Sequence, residues 1–377
     1  MNLAYRDVRH NLFRFLLTCL GLSLLMAVVL SMIGIYNGLV IDALTIVRAP
    51  AADVWVVETE TQGPFAEASR IPGDTRASIA RLHGVADAGS VTYQTAEVDF
   101  GGRRHRLYLV GFEPGRPGAP LTLAAGRPIG RNHHEIIADT GVGLALGDRI
   151  RLGRDTFEIV GLVENQVNSG GDPAIYLPLR DAQILQFELT PPAARVQTAR
   201  GAPSQSENTV NAVLARLEPN ADPDAVAATI RRWKHLAALT QADQEVLLTS
   251  SVVDRARRQI GLFMGILLAV SAVVIALIVY TMTMEKLREI ATLKLIGAPD
   301  RTIAGLIVQQ ALALGGVGWA FGLVLVLLVK DFFPRRVVLE PLNALVLAAI
   351  IFVVCIAASG LGVRAALKVD PATALGG

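Results

Sequence analysis

The chain carries four long runs without a single charged residue, each rich in apolar side chains. The runs lie at 15–41, 259–284, 302–329 and 341–363 and contain 27, 26, 28 and 23 residues. A helix needs about 20 mostly apolar residues to cross the hydrocarbon core of a bilayer. Each run therefore predicts a transmembrane helix, and the expected fold is an α-helical membrane protein with four spans.

The composition also favours a membrane protein. Hydrophobic residues make up 52% of the 377 residues and charged residues 18%, against roughly 45–50% and 25% in soluble chains. This excess excludes a soluble enzyme. The net charge of +2, with both signs mixed along the chain, gives no reason to expect a nucleic-acid partner. Cys19 and Cys355 both fall inside apolar runs, so no disulfide framework is expected.

Basic residues beside the runs predict the orientation. Nine Lys and Arg residues lie in the amino-terminal tail 1–14, the loop 285–301 and the carboxyl tail 364–377, whereas three lie in the loop 330–340. The tails and 285–301 are therefore expected in the cytoplasm, and 330–340 outside. Residues 42–258 are then extracytoplasmic. The first run is too long for the apolar core of a signal peptide, so it is interpreted as a retained span.

The long outer segment alternates apolar and polar positions between turn residues, which predicts a folded α+β domain inserted between the first two spans. Gly101-Gly102 separates two alternating stretches, Val91–Asp99 and Arg104–Phe112, and predicts a β-hairpin. Further strands are predicted at Asp53–Thr59, Glu135–Ala138, Arg149–Leu152 and Thr156–Val163, the last two joined by Gly153-Arg154-Asp155.

Helix signals occur in the same segment. Asp222 followed by Pro223 is typical of a helix start. A second short helix is predicted from an Asp74 cap to about Leu82. The polar, proline-containing residues 188–207 predict a loop or flexible insertion.

Thr240 and Asp243 have the spacing of a capping box. They predict a stalk helix that runs unbroken from Thr240 through Met284 into the second span. No internal repeat is visible, so the inverted-repeat design of many secondary transporters finds no support. The predicted layout is one span, a large outside domain and three further spans.

A short amphipathic helix is predicted in the loop 285–301. Its apolar positions recur at helical spacing among charged residues: Leu287, Ile290, Ala291 and Leu295. Gly297 and Pro299 are expected to end it. The pattern alone fits a helix that lies on the lipid headgroups, and it equally fits a lever for a partner protein.

The segment Arg288–Pro299, REIATLKLIGAP, resembles the signature loop that follows the second span in FtsX/MacB-type ABC transporter permeases. Other segments resemble the family in order and place: Asn11–Thr18 before the first span, Gly318 and Gly322 in the third span, and Ala365–Leu375 near the carboxyl end. Gln309–Leu312 is most similar to stand-alone permeases of the heterocyst-exporter type, although many relatives carry Glu at the position of Gln310.

The resemblance implies the membrane subunit of an ABC exporter in the inner membrane, with no catalytic, cofactor or metal site of its own. ATP would be bound by a separate ABC ATPase. Family members use mechanotransmission, in which ATP-driven closure of the ATPases moves the cytoplasmic coupling helix, and the stalk carries the motion to the outside domain. The residues expected to couple to the ATPase are Leu287, Arg288, Glu289, Ile290, Leu293, Lys294 and Gly297.

The resemblance also implies partners. A second permease chain would form a homodimer or heterodimer, and a periplasmic adaptor protein and an outer-membrane channel are further candidates. The expected substrate is hydrophobic or lipid-like, and membrane lipid is a partner. An alternative within the family is an FtsX-like regulator that transmits ATP hydrolysis to cell-wall hydrolases or to a sensor kinase.

Polar and small residues in the third run have a packing interpretation. Gly318 and Gly322 have the small-xxx-small spacing that lets helices approach closely. Close packing within one chain and close packing across a dimer both fit. The amides of Gln309 and Gln310 lie in hydrocarbon, and at least one is expected to hydrogen-bond between helices.

Other chemistry is poorly supported. The sequence has no G-x-x-x-x-G-K-[ST] loop to hold nucleotide phosphates. The four runs lack the charged residues that ion-coupled carriers usually need. His133-His134-Glu135 could suggest a metal, but adjacent side chains at the start of a strand point to opposite faces. A membrane-anchored hydrolase with 42–258 as its catalytic domain finds no nucleophile motif.

Overall fold

A computed structural model describes residues 12–61, 63, 65, 69–120, 122–131, 133–168, 170–189, 209–250, 254–296, 299–333 and 335–367. The chain divides into two compact units. The first comprises Met1–Gly38 and Ala256–Gly377, and the second comprises Leu39–Arg255.

The described helices are α1 (Leu12–Arg48), α2 (Thr75–Ile79), α3 (Leu179–Leu189), α4 (Pro223–Ile230), α5 (Gln241–Leu248), α6 (Asp254–Glu285), α7 (Leu287–Leu295), α8 (Asp300–Val329) and α9 (Pro341–Leu367). Short 3-10 turns lie at Thr140–Val142 and Lys330–Phe332. The described strands are β1 (Val54–Glu58), β2 (Ile71–Pro72), β3 (Val85–Phe100), β4 (Arg103–Phe112), β5 (Ala125–Gly126), β6 (Glu135–Asp139), β7 (Arg149–Leu152), β8 (Asp155–Val163), β9 (Ala174–Pro178), β10 (Thr209–Val210), β11 (Ala212–Leu217) and β12 (Leu236–Thr240).

The first unit is helical, and the four predicted spans are confirmed as helices. Among the described residues, four stretches are long and apolar enough to cross a membrane: Leu17–Arg48, Arg257–Glu285, Asp300–Phe332 and Pro341–Arg364. They share one buried core, to which α1 contributes Leu22, Met26 and Leu30. The most apolar 18-residue stretch of α1 is half-buried, whereas only 17% of the corresponding stretch of α6 is buried. The helix α1 therefore has the most extensive packing of the four.

Glycines set the contacts between these helices. A methyl group at Gly322 would lie 2.9 Å from Cβ of Met26 in α1, and one at Gly315 would overlap the sulfur of Cys355 in α9. Small residues are needed where helix backbones approach this closely. Of the two packing interpretations, the structure shows contact within one chain.

The second unit is built on one sheet with the strand order β12-β1-β11-β3-β4-β9-β6-β8-β5, in which β7 pairs with β8 as the tenth strand. The pairs β4–β9 and β6–β8 are parallel, and the other pairs are antiparallel. The strands β2 and β10 form a separate pair. One apolar core includes residues of α2 and α4, and a second includes residues of α3. The unit is an α+β domain, as predicted.

Several local predictions are confirmed. The hairpin of β3 and β4 turns at Gly101-Gly102, whose φ angles of 59° and 72° are both positive, as a two-residue type I′ turn requires. The Asp222 side chain accepts from the N–H of Asp224 at the start of α4. At the start of α5, Thr240 and Asp243 make both bonds of the capping box.

Other local predictions were incomplete or wrong. The stalk predicted from Thr240 through Met284 is helical in α5 and α6, and its residues 251–253 lie outside the described residues, so its continuity stays a prediction. Asp74 precedes α2 but makes no side-chain cap bond. Residues 188 and 189 belong to α3 and not to a loop, and the rest of 188–207 lies outside the described residues.

Candidate coupling site

The helix α7 is a separate short element between two membrane helices. Lys286, with φ −95° and ψ 9°, departs from helical geometry and separates α6 from α7. The N–H of Ile290 donates to the carbonyl of Lys286 at 2.9 Å, which begins the new helix. The helix α8 begins at Asp300, after Pro299. The predicted amphipathic helix is therefore present, over Leu287–Leu295.

One side of α7 is anchored in the helical unit. Ile290 and Ala291 are 8% and 1% exposed, and Ile290 belongs to the same buried cluster as Val279, Ile303 and Ile307. Burying an aliphatic side chain of this size contributes about 1.5–3 kcal/mol. This apolar cluster joins α7 to the adjoining ends of α6 and α8.

A glycine of α9 tightens the packing beside this anchor. A methyl group at Gly362 would lie 2.9 Å from the hydroxyl oxygen of Thr283 and 3.4 Å from Ile307. Thr283 is buried, and its hydroxyl donates to the carbonyl of Val279 at 2.7 Å. The ends of α6, α8 and α9 are therefore in close contact where α7 attaches.

The carboxyl end of α7 presents apolar side chains outward. Leu295 is 62% exposed and Ile296 is 79% exposed, whereas Lys294 is half-buried. Large apolar side chains at the polar end of a span are typical of a surface that binds lipid or another protein. The helix thus has an anchored side and an exposed apolar tip.

The other predicted coupling residues are placed only in part. The backbones of Leu287, Arg288, Glu289 and Leu293 lie in α7, but their side chains are outside the described part of the structure. Gly297 lies outside the described residues altogether. Their assignment to the coupling site stays a prediction.

The predicted packing residues lie on α8. Gly318 is buried and faces Leu22 of α1, whereas Gln310 is half-buried. The sequence did not predict a further contact. Val338, between α8 and α9, is hydrogen-bonded to α1 beside Gly34 and Gly38. The four-residue spacing of these two glycines is a signal that could have revealed it.

Glu135 is a buried carboxylate of the second unit with several partners. Glu135 accepts from both terminal nitrogens of Arg127 at 2.7 and 3.1 Å and from the N–H groups of Gly130 and Arg131 at 2.9 Å each. The hydrogen bonds from Arg127 lower the pKa of Glu135 to about 2, and the two backbone bonds act in the same direction against the effect of burial. Glu135 is therefore a charged structural residue.

His133 and His134 were expected to point to opposite faces, but their ring centroids lie 6.1 Å apart. His133 shares a hydrogen bond of 2.7 Å with Asp181, and the backbone N–H of His134 donates to the other oxygen of Asp181 at 3.0 Å. The ring of His134 lies against Phe157. Both histidines line an open cavity of about 450 Å³. Within the described ranges, no three His, Cys, Asp or Glu side chains come together as a metal site.

Comparison with known proteins gives two family matches. Residues 15–233 match the model of the MacB-like periplasmic core domain, and residues 261–371 match the FtsX-like permease C-terminal model. The two matches divide the chain on either side of the start of α6.

Relatives match over the full length. An uncharacterized ABC transporter permease of Mycobacterium tuberculosis is 28% identical over 375 residues, covering 99% of each chain. A protein of Staphylococcus epidermidis, whose name assigns it to a hemin transport system as the permease HrtB, is 21% identical over 386 residues, covering 100% of this chain and 99% of the other.

Two solved domains were also matched. The match to the periplasmic region of MacB from Actinobacillus actinomycetemcomitans covers 52% of this chain and 91% of the MacB chain, with 9% identity and a TM-score of 0.37. The match to the extracellular domain of the noncanonic ABC-type transporter YknZ from Gram-positive bacteria covers 50% of this chain and 99% of the YknZ chain, with 12% identity and a TM-score of 0.34.

Four membrane-length helices together with a periplasmic core domain define a multi-pass inner-membrane protein whose α+β domain is extracytoplasmic. The relatives are ABC transporter permeases, a class of subunit that works with an ATPase partner. The periplasmic-core model alone matches more than half of the sequence. This chain belongs to the FtsX/MacB-type family of ABC transporter permeases.

Proposed function

We propose that this permease works by mechanotransmission. A separate ABC ATPase docks on the exposed tip of α7, and its ATP-driven closure displaces α7 together with the attached ends of α6 and α8. The stalk formed by α5 and α6 carries the displacement to the extracytoplasmic domain, which exports or extracts a hydrophobic or lipid-like substrate.

The observation that carries this proposal is the two-sided character of α7. Its inner residues Ile290 and Ala291 are buried, so motion of α7 is passed to the membrane helices. Its outer residues Leu295 and Ile296 are exposed apolar side chains, which suit a groove on a partner protein. The absence of a phosphate-binding loop from the sequence supports assigning ATP to that partner.

A fixed contact in the second unit supports the stalk as a transmitting element. The guanidinium of Arg48, the last residue of α1, donates to both carboxylate oxygens of Glu245 in α5 at 2.7 and 2.8 Å. Bidentate pairs of this kind fix orientation as well as distance. A displacement of α5 is thereby shared with the end of α1.

The remaining partners belong to the same proposal. We infer that two permease chains form a homodimer or heterodimer around two ATPases, with no cofactor or catalytic residue in the permease. A hydrophobic substrate agrees with the relative that is named for hemin transport. A periplasmic adaptor and an outer-membrane channel would extend the export path where the cell has an outer membrane.

Docking is tested by matched substitutions on the two sides of α7. Ile296→Asp should leave membrane insertion and thermal stability unchanged but abolish co-purification of the ATPase, because it places a charge in an apolar contact. Ile290→Ala should lower the thermal stability of the permease, because it leaves a cavity in the buried cluster. Wild-type ATPase binding by Ile296→Asp would contradict docking at this tip.

The residues predicted from the resemblance supply a second set of variants. Leu293→Ala and Glu289→Lys are expected to weaken ATPase binding while leaving insertion intact. Loss of one well-packed anchor typically costs about 1–3 kcal/mol, or roughly 5- to 150-fold in affinity. A helix that only rests on lipid headgroups would tolerate changes that keep it amphipathic. Wild-type ATPase binding by both variants would therefore indicate that α7 is such an interfacial helix and not a docking helix.

A further inference from the structure

His133 and His134 belong to a turn that precedes the strand β6, not to the strand itself. His134 has a φ of 64°, in the left-handed region that residues other than glycine seldom adopt. Its carbonyl accepts from the N–H of Glu158 at 2.9 Å, and its own N–H donates to Asp181 at 3.0 Å. The alternation of side chains along a strand therefore does not apply, and both imidazole rings line the same open cavity. Backbone held in this region is found preferentially at ligand sites.

One buried carboxylate positions both histidines. Asp181 is only 5% exposed. Its Oδ1 atom lies 2.7 Å from Nδ1 of His133, and its Oδ2 atom accepts the backbone N–H of His134. Because a carboxylate accepts hydrogen bonds, Nδ1 of His133 carries the proton, and the lone pair of Nε2 is left available. Histidines that bind metals are commonly held in this way, by a carboxylate that fixes the tautomer and the ring orientation.

The two rings are spaced for a shared metal ion. Their centroids are 6.1 Å apart, and their planes are inclined by 50°. With metal–nitrogen bonds of about 2.0–2.1 Å, two imidazoles on one ion place their ring centroids roughly 5–6 Å apart. Within the described part of the chain, Nε2 of His133 and both ring nitrogens of His134 make no hydrogen bond. The ring of His134 is braced at its side by Phe157, with centroids 5.7 Å apart.

The charges around the cavity admit a cation. Arg131 and Arg149 line it together with Glu135 and Glu158, so these charges cancel in number. An anionic ligand would find both arginines near a carboxylate, because Arg131 lies 3.7 Å from Glu135 and Arg149 is the cross-strand neighbour of Glu158. Since no third His, Cys, Asp or Glu completes a metal site among the described residues, water or donor atoms of a substrate would fill the other positions on the ion.

We propose that His133 and His134 bind a divalent transition-metal ion, of the class of Zn²⁺, Ni²⁺ and Cu²⁺, with Asp181 as the positioning residue. Imidazole nitrogen suits these metals, whereas Mg²⁺ and Ca²⁺ prefer oxygen ligands. Positions that the protein leaves open suit an ion that is bound reversibly or together with a substrate. The site lies in the extracytoplasmic unit and does not depend on the proposed mechanotransmission.

Copper binding followed by pulsed EPR tests the histidine pair. The full-length chain in detergent would receive one equivalent of Cu²⁺, and the modulation from remote imidazole nitrogens would count the coordinated histidines. The wild-type protein should show two. His133→Ala and His134→Ala should each show one and bind Cu²⁺ at least about 10-fold more weakly, since loss of even an outer partner of a ligand typically costs that much. His83→Ala, at an exposed histidine of the same unit, should match the wild type.

A second probe separates metal binding from folding. Zn²⁺ should raise the melting temperature of the wild-type chain, because a ligand that binds only the folded state stabilises it. It should not raise that of the double variant His133→Ala/His134→Ala. Both histidines are exposed, so the metal-free double variant should melt as the wild type does. A wild-type histidine count and Cu²⁺ affinity in either single variant, or an equal Zn²⁺ shift in the double variant, would overturn the proposal.

Asp181→Asn tests the positioning role. The substitution keeps the size of the side chain but removes the charge that the imidazole N–H meets, so the affinity for Cu²⁺ should fall by about 10- to 100-fold. The quadrupole coupling of the remote nitrogen of His133 should also change, because it responds to the hydrogen bond at Nδ1. A carboxylate with a merely structural role would leave that coupling unaltered. Wild-type affinity and coupling in Asp181→Asn would overturn the positioning role.

Discussion

Gly318 of α8 lies against Leu22 of α1, and a methyl group at position 318 would stand 2.8 Å from the Leu22 Cδ2 atom. This contact places the third membrane helix directly on the first. Gly318 and Gly322, a pair that could have served a dimer, therefore pack within the chain.

The Gly318 contact predicts a size limit at this position. Gly318→Leu should destabilise the helical unit, because overpacking a close contact typically costs about 1–3 kcal/mol. Thermal unfolding of the full-length chain in detergent measures the effect. Gly305→Leu on the same helix is the matched control, since a methyl group at Gly305 meets no described atom within 4 Å. Equal melting temperatures for the two variants would contradict the packing.

The Arg127–Glu135 pair predicts a pH-dependent contribution to stability. The folded-state pKa of Glu135, about 2, lies below its ordinary value of 4.5. The contribution is therefore fully present above pH 4.5 and is lost as the pH falls toward 2. Glu135→Gln should lower the stability of the extracytoplasmic domain by ~2–3 kcal/mol at pH 7, and the difference from wild type should shrink below pH 4.5.

The readout for Glu135 is the melting temperature of the domain in the full-length chain as a function of pH. Glu158→Gln on the neighbouring strand is the control, because Glu158 is exposed. A constant difference between Glu135→Gln and wild type from pH 7 to pH 3 would be inconsistent with the charged pair.

The orientation predicts opposite labelling of two exposed positions. In a chain with Cys19 and Cys355 replaced by alanine, Arg104→Cys should react with an impermeant thiol reagent from outside the cell. Ile296→Cys should react only after the membrane is opened. Reaction of both cysteines from the same side would rule out the topology, and with it docking of a cytoplasmic ATPase on α7.

The purified permease is expected to lack ATPase activity of its own, because its sequence has no phosphate-binding loop. Steady-state ATP hydrolysis by the full-length chain in detergent measures this. A preparation proven free of other proteins that still hydrolyses ATP robustly would contradict the assignment of catalysis to a partner.

The sequence predicted elements whose signals are local. The turn at Gly101-Gly102 needs two positive φ angles, and the Thr240–Asp243 capping box needs only a three-residue spacing. The membrane helices follow from length and composition. In each case the residues that determine the element lie within a few positions of one another or within one run.

The missed elements depend on the tertiary structure. The strand β9, Ala174–Pro178, is buried at every position, so it lacks the alternation by which half-buried strands are recognised. The helix α3 follows β9 without a break. Its last two residues, 188 and 189, fall in the segment 188–207, whose polar, proline-containing composition predicted a loop. Which surface Gly318 or Gly38 approaches is likewise fixed only by the fold.

The surroundings of α7 were predicted in part. The helical period placed Ile290 and Ala291 on one face, but it could not show that this face is buried against α6 and α8. The pairing of His133 with Asp181 joins residues 48 positions apart, and no local pattern reports a contact of that kind.

In the proposed mechanism, ATP hydrolysis by a separate ATPase moves the extracytoplasmic domain through α7. A fluorescent label at the exposed Arg104 tests this movement. It would be attached to Arg104→Cys in a chain with Cys19→Ala and Cys355→Ala, and the labelled permease would be reconstituted with its ATPase in lipid nanodiscs. ATP should change the label's signal with Ile296 intact and not with Ile296→Asp. A signal that does not respond to ATP with Ile296 intact, or that responds equally in both proteins, would contradict this mechanism.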